Sequence, residues 1–339
     1  LLTARDGDDY RNVLAGIDGR WKINDQHRIE FQHLQTETEY PEAVAIEFEQ
    51  PLDTFSGEGS LLSYSYGSRN WFGGADYENY SSGFRADSGF VSQVGGEGYR
   101  ARFGRLWHGT DKNWWNRIRA SVHADRKVAE DGRELEEEKT VRLGFGGVLQ
   151  TWFQFAYEES TELWEGVDYD QKEGRVYFEI TPTRGVYLSM LGTYGDKIDY
   201  TNNRLGKATI IEPFVMWNIT QKLLLRLKGV SSKLETPDGE MIFDATVLDA
   251  RLTWQFNLRS FLRLTLQNTD VERNLQEYVE EEDAQSQDLG LQLLYSYKIN
   301  PQTVFFLGYS DQYLDDDSVE ELTATDRTWF MKVGYAWAP

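Results

Sequence analysis

Residues 245–267 show the clearest alternation of apolar and polar positions in the chain. In the first half the apolar members of the alternating series are Leu248, Ala250, Leu252, Trp254 and Phe256. After Leu258-Arg259-Ser260 the alternation resumes with Leu262, Leu264 and Leu266, which are separated by polar residues. A period of two predicts strands, because successive side chains leave a strand on opposite faces. The segment is therefore expected to be a hairpin with one apolar and one fully polar face.

The same alternation recurs through nearly the whole chain and predicts about 17 strands of roughly ten residues each, the length that an inclined strand needs to cross a bilayer. The connections are predicted to alternate strictly between short and long. Short ones are expected near residues 25, 68, 110, 150, 184, 220, 258 and 301, and long ones near 46, 88, 131, 166, 202, 238, 278 and 318. Short periplasmic turns and long external loops are typical of outer-membrane barrels.

The fold class that this pattern favours is all-β: an antiparallel transmembrane β-barrel of about 16–18 visible strands in a bacterial outer membrane. Residues 1–339 are expected to form one transmembrane domain. The side chains predicted to face lipid include Val141, Leu143, Leu225, Leu264 and Leu291, and those predicted to face a water-filled lumen include Arg142, Arg226, Arg263 and Gln292. Arginine in place of Leu264 should then impair assembly much more than arginine in place of Thr265.

Composition narrows the class of protein without changing the fold prediction. The formal charge is −21 and the mean hydropathy is −0.59, which a barrel tolerates because only alternate strand residues face lipid. The 11 Trp, 19 Tyr and 18 Phe fit two interfacial aromatic girdles, with an aromatic-rich soluble core or a sugar-binding platform as the alternative. The absence of cysteine excludes disulfides and thiol chemistry, and the acidic balance argues against a nucleic-acid partner.

A basic series lies on the polar side of several strands. Its members are Arg100, Arg102, Arg117, Arg119, Arg142, Arg226, Lys228, Arg251 and Arg263. One interpretation is a charged constriction that selects solutes or docks an acidic plug. The other is ordinary pairing and hydration of charges along the wall.

The connecting segments are strongly acidic, as in 39–50, 130–139, 158–170, 277–288 and 315–322. Solvated loops explain this composition, and the alternative is binding of divalent cations, directly or as bridges to lipopolysaccharide. Because none of these segments has the spacing of a calcium loop, no metal site and no cofactor is assigned.

An enzyme is the second class of function to weigh. The chain has four histidines, His27, His33, His108 and His123, and neither a GxSxG nor an HExxH motif. His123 is expected on the polar side near the outer end of its strand, where omptin-like proteases and outer-membrane phospholipases place a histidine. A structural histidine is the simpler interpretation, so no catalytic residue is assigned.

The function favoured by these patterns is porin-like passage of hydrophilic solutes. The alternative is a scaffold or sheath that anchors a secretion or electron-transfer partner in its lumen. For that alternative, Gly73 and Gly74 indicate a bulge or the close packing of something inside the barrel. Outer-membrane lipid and lipopolysaccharide are the expected surroundings.

Five segments carry a resemblance to a known family. They are YRNVLAGIDGRWKIND (10–25), GFRADSGFVSQVGGEGYRARFG (83–104), RLTWQFNLRSFLRL (251–264), YSYKINPQTVFFLGYSD (295–311) and TWFMKVGYAWAP (328–339). The chain resembles the barrel region of uncharacterised bacterial outer-membrane proteins that carry an N-terminal domain similar to family-9 carbohydrate-binding modules. The resemblance implies fold and location, and it implies no catalytic residue. The last strand resembles an outer-membrane assembly signal but ends in Ala338-Pro339.

The first residues are expected to complete a strand rather than begin one. Counting the alternation back from Trp337 places residues 7–9 in an external loop and 1–5 at the outer end of an earlier strand. Since single-chain bacterial barrels have even strand numbers and an open edge cannot lie in lipid, the natural chain is expected to continue upstream of Leu1.

Overall fold

The structure is a computed structural model that describes residues 1–91, 93–279, 281–300, 302–318 and 321–336. The described residues form 18 strands in one antiparallel sheet. The first nine are β1 Leu2–Gly7, β2 Tyr10–Lys22, β3 His27–Glu39, β4 Phe55–Gly67, β5 Trp71–Tyr80, β6 Gly96–His108, β7 Trp115–Ala129, β8 Glu134–Gly147 and β9 Trp152–Trp164. The others are β10 Val167–Thr183, β11 Val186–Asp199, β12 Arg204–Asn218, β13 Leu223–Glu235, β14 Met241–Asn257, β15 Ser260–Arg273, β16 Gln285–Asn300, β17 Thr303–Asp316 and β18 Thr323–Tyr335.

Across the part of the chain that the structure describes, helix is confined to short pieces in connections. One α-helix, α1, spans Glu42–Glu47, and 3₁₀ turns span Val148–Gln150 and Leu275–Glu277. Among the described residues no helix has the length and apolarity needed to cross a bilayer.

The chain divides into two compact units. The first contains Leu1–Gly109, Arg117–Leu143 and Tyr157–Asp170, and the second contains Thr110–Asn116, Gly144–Ala156 and Gln171–Pro339. In the first unit each strand from β1 to β7 pairs with its sequence neighbour, and in the second unit the same holds from β10 to β18. Both units are therefore built from successive antiparallel hairpins.

The register of the second unit confirms the two faces predicted for residues 245–267. Leu264 lies opposite Leu252 on β14 and opposite Leu293 on β16, so one face of these strands is continuously apolar. One residue further along, Arg226 and Arg251 lie opposite each other on the polar face. Matching side chains on adjacent strands are the unit of sheet stabilisation.

The apolar face is open to the surroundings. Val141 is 56% exposed, Phe103 53%, Trp254 52% and Leu264 39%. Leu225 and Leu291, predicted on the same face, are half-buried by their neighbours. Trp337, predicted to extend this face on the last strand, lies outside the described residues. An apolar surface of this extent indicates an apolar partner or medium, because soluble monomers rarely expose one.

Strand number agrees with the sequence prediction, whereas strand length does not. The 17 strands β2–β18 are 10–17 residues long, and β1 adds the short strand expected at residues 1–5. Whether the natural chain continues upstream stays a prediction.

The predicted strict alternation of short and long connections is wrong. The connection near 166 consists of only Glu165 and Gly166, both with positive φ, and that near 131 is only residues 130–133. Acidic segments assigned to loops instead extend the strands, as in the pairing of Thr161 Oγ1 with Asp170 Oδ1 at 2.7 Å. Adjacent strands pair through backbone hydrogen bonds, which do not require an apolar face. An acidic composition therefore does not mark the end of a strand.

Candidate functional site

The first basic cluster lies on the polar face of β6 and β7, in the first unit. Alternation places Arg100 and Arg102 on one face of β6, opposite Asp125 and His123 of β7, respectively. Arg117 and Arg119 follow on the same face of β7, opposite His108 and Leu106. The intervening residues, among them Phe103 and Val122, form the exposed apolar face. The alternation of side chains along a strand therefore places the four arginines on one face of the sheet.

The arginines of this cluster differ in how their charges are balanced. Arg100 Nε donates to Asp125 Oδ1 at 2.5 Å, and the Arg119 guanidinium lies 4.4 Å from the centre of the Phe72 ring. Among the described residues, no carboxylate forms an ion pair with Arg102, Arg119 or Arg142. Arg142 lies on β8, the neighbour of β7 in the sheet, between Val141 and Leu143 of the exposed apolar face, so we count it with this cluster on the polar face. Uncompensated guanidinium groups are unexpected in a chain of net charge −21.

Two polar atoms lie enclosed within this cluster. The hydroxyl of Ser121, a residue only 5% exposed, has no hydrogen-bond partner, and neither has Nε2 of His123. Since Ser121 does not donate to His123, and Asp125 is held by Arg100, these residues do not form a nucleophile–base pair. The geometry therefore gives no support to the enzyme alternative at His123.

The second basic cluster lies in the second unit. Arg226 faces Arg251 across β13 and β14, and Arg263 lies on β15 two residues from Thr265, the partner of Arg251. Arg251 lies 3.6 Å from Asp249, whereas Arg226 and Arg263 form no ion pair with a carboxylate in the described part of the chain. The Nε atoms of Arg251 and Arg263 are buried without a hydrogen-bond partner.

Lys228, the remaining member of the predicted basic series, is balanced separately. It lies 4.0 Å from Glu212 of β12. The structure thus resolves the predicted series into one cluster in each unit, with some charges compensated and others not.

The connection between β5 and β6 (residues 81–95) lies on the polar face of β2–β4, which the sequence did not predict. Phe84 of this connection is 0% exposed and packs with Leu14 and Leu34, the three residues that we call the first covered patch. Gly57 permits the close approach, because a Cβ atom there would lie 2.1 Å from Phe84 N. Glycine at 57 and 83 was the only sequence signal for this contact.

Hydrogen bonds anchor the same connection. Asp87 accepts from the Tyr10 hydroxyl at 2.6 Å and from the Tyr40 hydroxyl at 3.1 Å. Asn12 Nδ2 donates to Arg85 O at 2.9 Å, and the Arg85 guanidinium donates to Gln50 Oε1. Burial, reinforced by the charge of Asp87 and the hydrogen bond to it, raises the pKa of Tyr40 to about 12. The connection is therefore held by both apolar and polar contacts.

A second covered patch lies in the second unit and consists of Ala208, Leu234 and Ile242. The connection between β15 and β16 (residues 274–284) packs Tyr278 against it. Arg204 of β12 binds the same connection by donating to Glu277 Oε2 at 2.7 Å. Each unit therefore has an apolar patch on its polar face that a connection covers.

Gly73 and Gly74 do not form the bulge that the sequence suggested. The registers of β5 with β4 and with β6 are continuous. A Cβ at Gly74 would lie 2.8 Å from the backbone oxygen of Tyr64 and 3.2 Å from Arg102 Nε, so the close approach is made by the sheet itself. Gly74 leaves room for an arginine of the first cluster.

The acidic segments show no preformed metal site in the structure. Within the described residues no group of three His, Asp or Glu side chains is arranged to hold an ion.

Comparisons with known proteins find similarity in fold only. No family model matches the chain, and no curated protein matches it in sequence. The siderophore receptor PirA from Pseudomonas aeruginosa matches with a TM-score of 0.51 and 10% identity, over 99% of this chain and 72% of that one. The PirA receptor from Acinetobacter baumannii (TM-score 0.46, 8% identity, 99% and 73% covered) and the copper transporter OprC (0.43, 10%, 97% and 72%) match less well.

The structural neighbours are outer-membrane β-barrel transport proteins. At 10% identity the likeness to the Pseudomonas receptor shows a shared fold and no shared activity. It agrees with the all-β sheet of antiparallel hairpins and does not identify a ligand.

Proposed function

We propose that the chain is a bacterial outer-membrane β-barrel whose polar face lines a passage for small or medium hydrophilic solutes. The observation that carries this proposal is the division of the sheet into an exposed apolar face and a polar face with arginines that no carboxylate of the described residues compensates. Lipid covers the apolar face, and water hydrates the polar one. Closure of the sheet and a single transmembrane domain over residues 1–339 are parts of the proposal.

The fold supports this function in a second way. A barrel of about 18 strands leaves room for an aqueous channel. The connection 81–95, anchored on the polar face through Phe84 and Asp87, would narrow that channel. The first basic cluster would then set which solutes pass.

The test of passage is conductance of the purified protein in a planar bilayer. We expect ohmic channels in KCl, and a protein that inserts but never conducts would contradict the proposal. The alternative function, a sheath around an acidic partner, is favoured by the same uncompensated arginines. It predicts a protein that is silent alone and is always isolated with that partner.

The orientation of the faces has its own test. Leu264→Arg places a charge on the apolar face, where it costs about 2–4 kcal/mol near the bilayer midplane. Thr265 is a poor control because it is 8% exposed and lies between Arg251 and Gln292. Gln267 is exposed on the polar face beside Asp249, so Gln267→Arg is the matched variant. Equal assembly of both variants in vesicles would overturn the assignment of lipid to the apolar face.

A further inference from the structure

The first basic cluster has the features of a binding site and not only of a charged wall. Arg102 and Arg119 are exposed on the polar face, where a solute in water reaches them. Arg142 lies half-buried on β8, which neighbours β7 in the sheet, and none of the three arginines is paired with a described carboxylate. Guanidinium groups present several donors in a fixed plane and bind carboxylate or phosphate oxygens through paired hydrogen bonds.

The enclosed polar atoms supply an independent observation. Ser121 lies on β7 between Arg119 and His123 along the same face, and its hydroxyl has no partner. The Nε2 atom of His123 is likewise enclosed and unpartnered. Such groups carry the cost of desolvation without a compensating hydrogen bond. An oxyanion drawn in by the arginines would provide acceptors for the Ser121 hydroxyl and for the Nε2–H that one tautomer of a neutral His123 ring carries.

Two glycines leave room for the side chains that surround these groups. Gly104 lies opposite Ser121 on β6, and the Phe72 ring occupies the place that its side chain would take. The same ring lies against the Arg119 guanidinium, which orients it. Gly74 leaves room for the Arg102 guanidinium. The arginines are thus positioned by packing and not by carboxylates that an anion would have to displace.

We propose that Arg102, Arg119, Arg142, Ser121 and His123 form a binding site for solutes that carry a carboxylate or phosphate group. The inference rests on the proposed function, since it names the class of solute that the passage takes. Each cluster contains one arginine beside an aspartate, Arg100 with Asp125 and Arg251 with Asp249. The second cluster differs because its enclosed atoms without a partner are the Nε atoms of Arg251 and Arg263, with no hydroxyl or imidazole nitrogen among them in the described residues. We therefore expect the first cluster to be the selective one.

The experiment measures binding separately from conductance. Purified protein in detergent is titrated calorimetrically with inorganic phosphate and, in a second arm, with succinate, at about 0.1 M KCl so that unspecific attraction is screened. We expect at least one of the two oxyanions to bind. The one that binds more tightly shows whether the site prefers solutes with a phosphate or with a carboxylate group.

Variants then locate the site. Arg102→Gln and Arg119→Gln should each weaken binding by about tenfold or more, because each removes charge-assisted hydrogen bonds. Ser121→Ala should weaken it by about two- to tenfold, as expected for a neutral hydrogen bond. The control is Arg263→Gln, which removes an equally uncompensated charge from the second cluster and should leave the affinity within about twofold. If Arg102→Gln does not fold, Arg102→Lys keeps the charge and tests the loss of the planar donor pair.

Two outcomes would overturn the inference. Wild-type protein that conducts but binds neither oxyanion would reject the site while the proposed passage stands. Equal loss of affinity in Arg102→Gln and Arg263→Gln would show general attraction to a basic wall. Binding that depends on Arg102 and Arg119 in a protein that never conducts would support the site and reject the passage.

Discussion

A connection packs over each of the two covered patches, but the two connections contribute different contacts. In the first, the connection 81–95 contributes its own fully buried residue, Phe84, and lies directly on the backbone at Gly57. In the second, the three buried residues all belong to strands: Ala208 to β12, Leu234 to β13 and Ile242 to β14. The connection 274–284 adds only the partly buried Tyr278 and an ion pair through Glu277. The first connection is therefore part of the core, whereas the second is attached to it.

The difference teaches what each connection can do. A connection that buries an aromatic side chain completely has a fixed position, because its displacement exposes that side chain to water. A connection held by a partly exposed ion pair is more easily released, since such pairs contribute little and are screened by salt. We expect 81–95 to be a permanent feature of the polar face and 274–284 to open more readily.

The largest effect is expected from Gly57→Ala. The added Cβ would lie 2.1–2.3 Å from backbone atoms of Gly83 and Phe84, so the connection 81–95 must move away from β4. Limited proteolysis should then cut at Arg85, which in the wild type is half-buried and donates to Gln50. Gly67→Ala is the control, because nothing lies within 4 Å of its Cβ position. Resistance of Gly57→Ala to proteolysis would show that the close approach is not required.

Truncation of the aromatic side chains compares the two patches directly. Phe84→Ala should destabilise its connection by about 3–5 kcal/mol, the usual cost of emptying a buried phenylalanine site. Tyr278→Ala should cost only about 1 kcal/mol, because its ring is partly exposed. Hydrogen exchange of the two connections measures both values, and equal losses would remove the distinction between them.

The polar anchor of the first connection is tested by Asp87→Asn. This change keeps the shape of the side chain but replaces the charged acceptor of the Tyr10 and Tyr40 hydroxyls. We expect a loss of about 1–3 kcal/mol in the stability of the connection, as for other hydrogen bonds to charged groups. Faster hydrogen exchange confined to residues 81–95 would confirm this loss. Unchanged exchange would show that the burial of Phe84, and not Asp87, holds the connection.

The pH dependence of the same anchor follows from Tyr40. Its pKa is raised from 10.0 to about 12, so the folded state favours the protonated phenol. The contribution to stability is complete below pH 10 and is lost as the pH rises through 12. Tyr40→Phe should remove this part of the alkaline loss, measured as proteolysis of the connection against pH. An identical alkaline profile would assign the transition to other groups.

The smallest effect is expected at the second connection. A double-mutant cycle between Arg204→Gln and Glu277→Gln should give a coupling of up to about 1 kcal/mol, because both side chains keep some contact with solvent. Exchange of 274–284 should rise in about 1 M KCl, where the Debye length is short, while 81–95 is unaffected. If salt instead raised the exchange of 81–95, the first connection would be the one held mainly by charge, contrary to our expectation.

The sequence determined the strands and their faces because the information is local. Alternation places Leu264 on the apolar face and Arg263 on the polar one, whatever the rest of the chain does. For the same reason it assigned Arg100, Arg102, Arg117 and Arg119 to one side of one hairpin, which the register confirms.

Only the tertiary structure decided strand length, the course of the long connections and which arginines are compensated. Residues 158–170 have the composition of a loop, and only a paired neighbour makes them strand. Asn12 binds Arg85 across 73 positions, and Gly57 meets Phe84 across 27 positions (84 − 57). The charge of Arg102 is uncompensated because no carboxylate of the described fold reaches it, although the chain carries 56 acidic residues. Such contacts depend on the positions of residues that are far apart in sequence, and a periodic pattern carries no information about those distances.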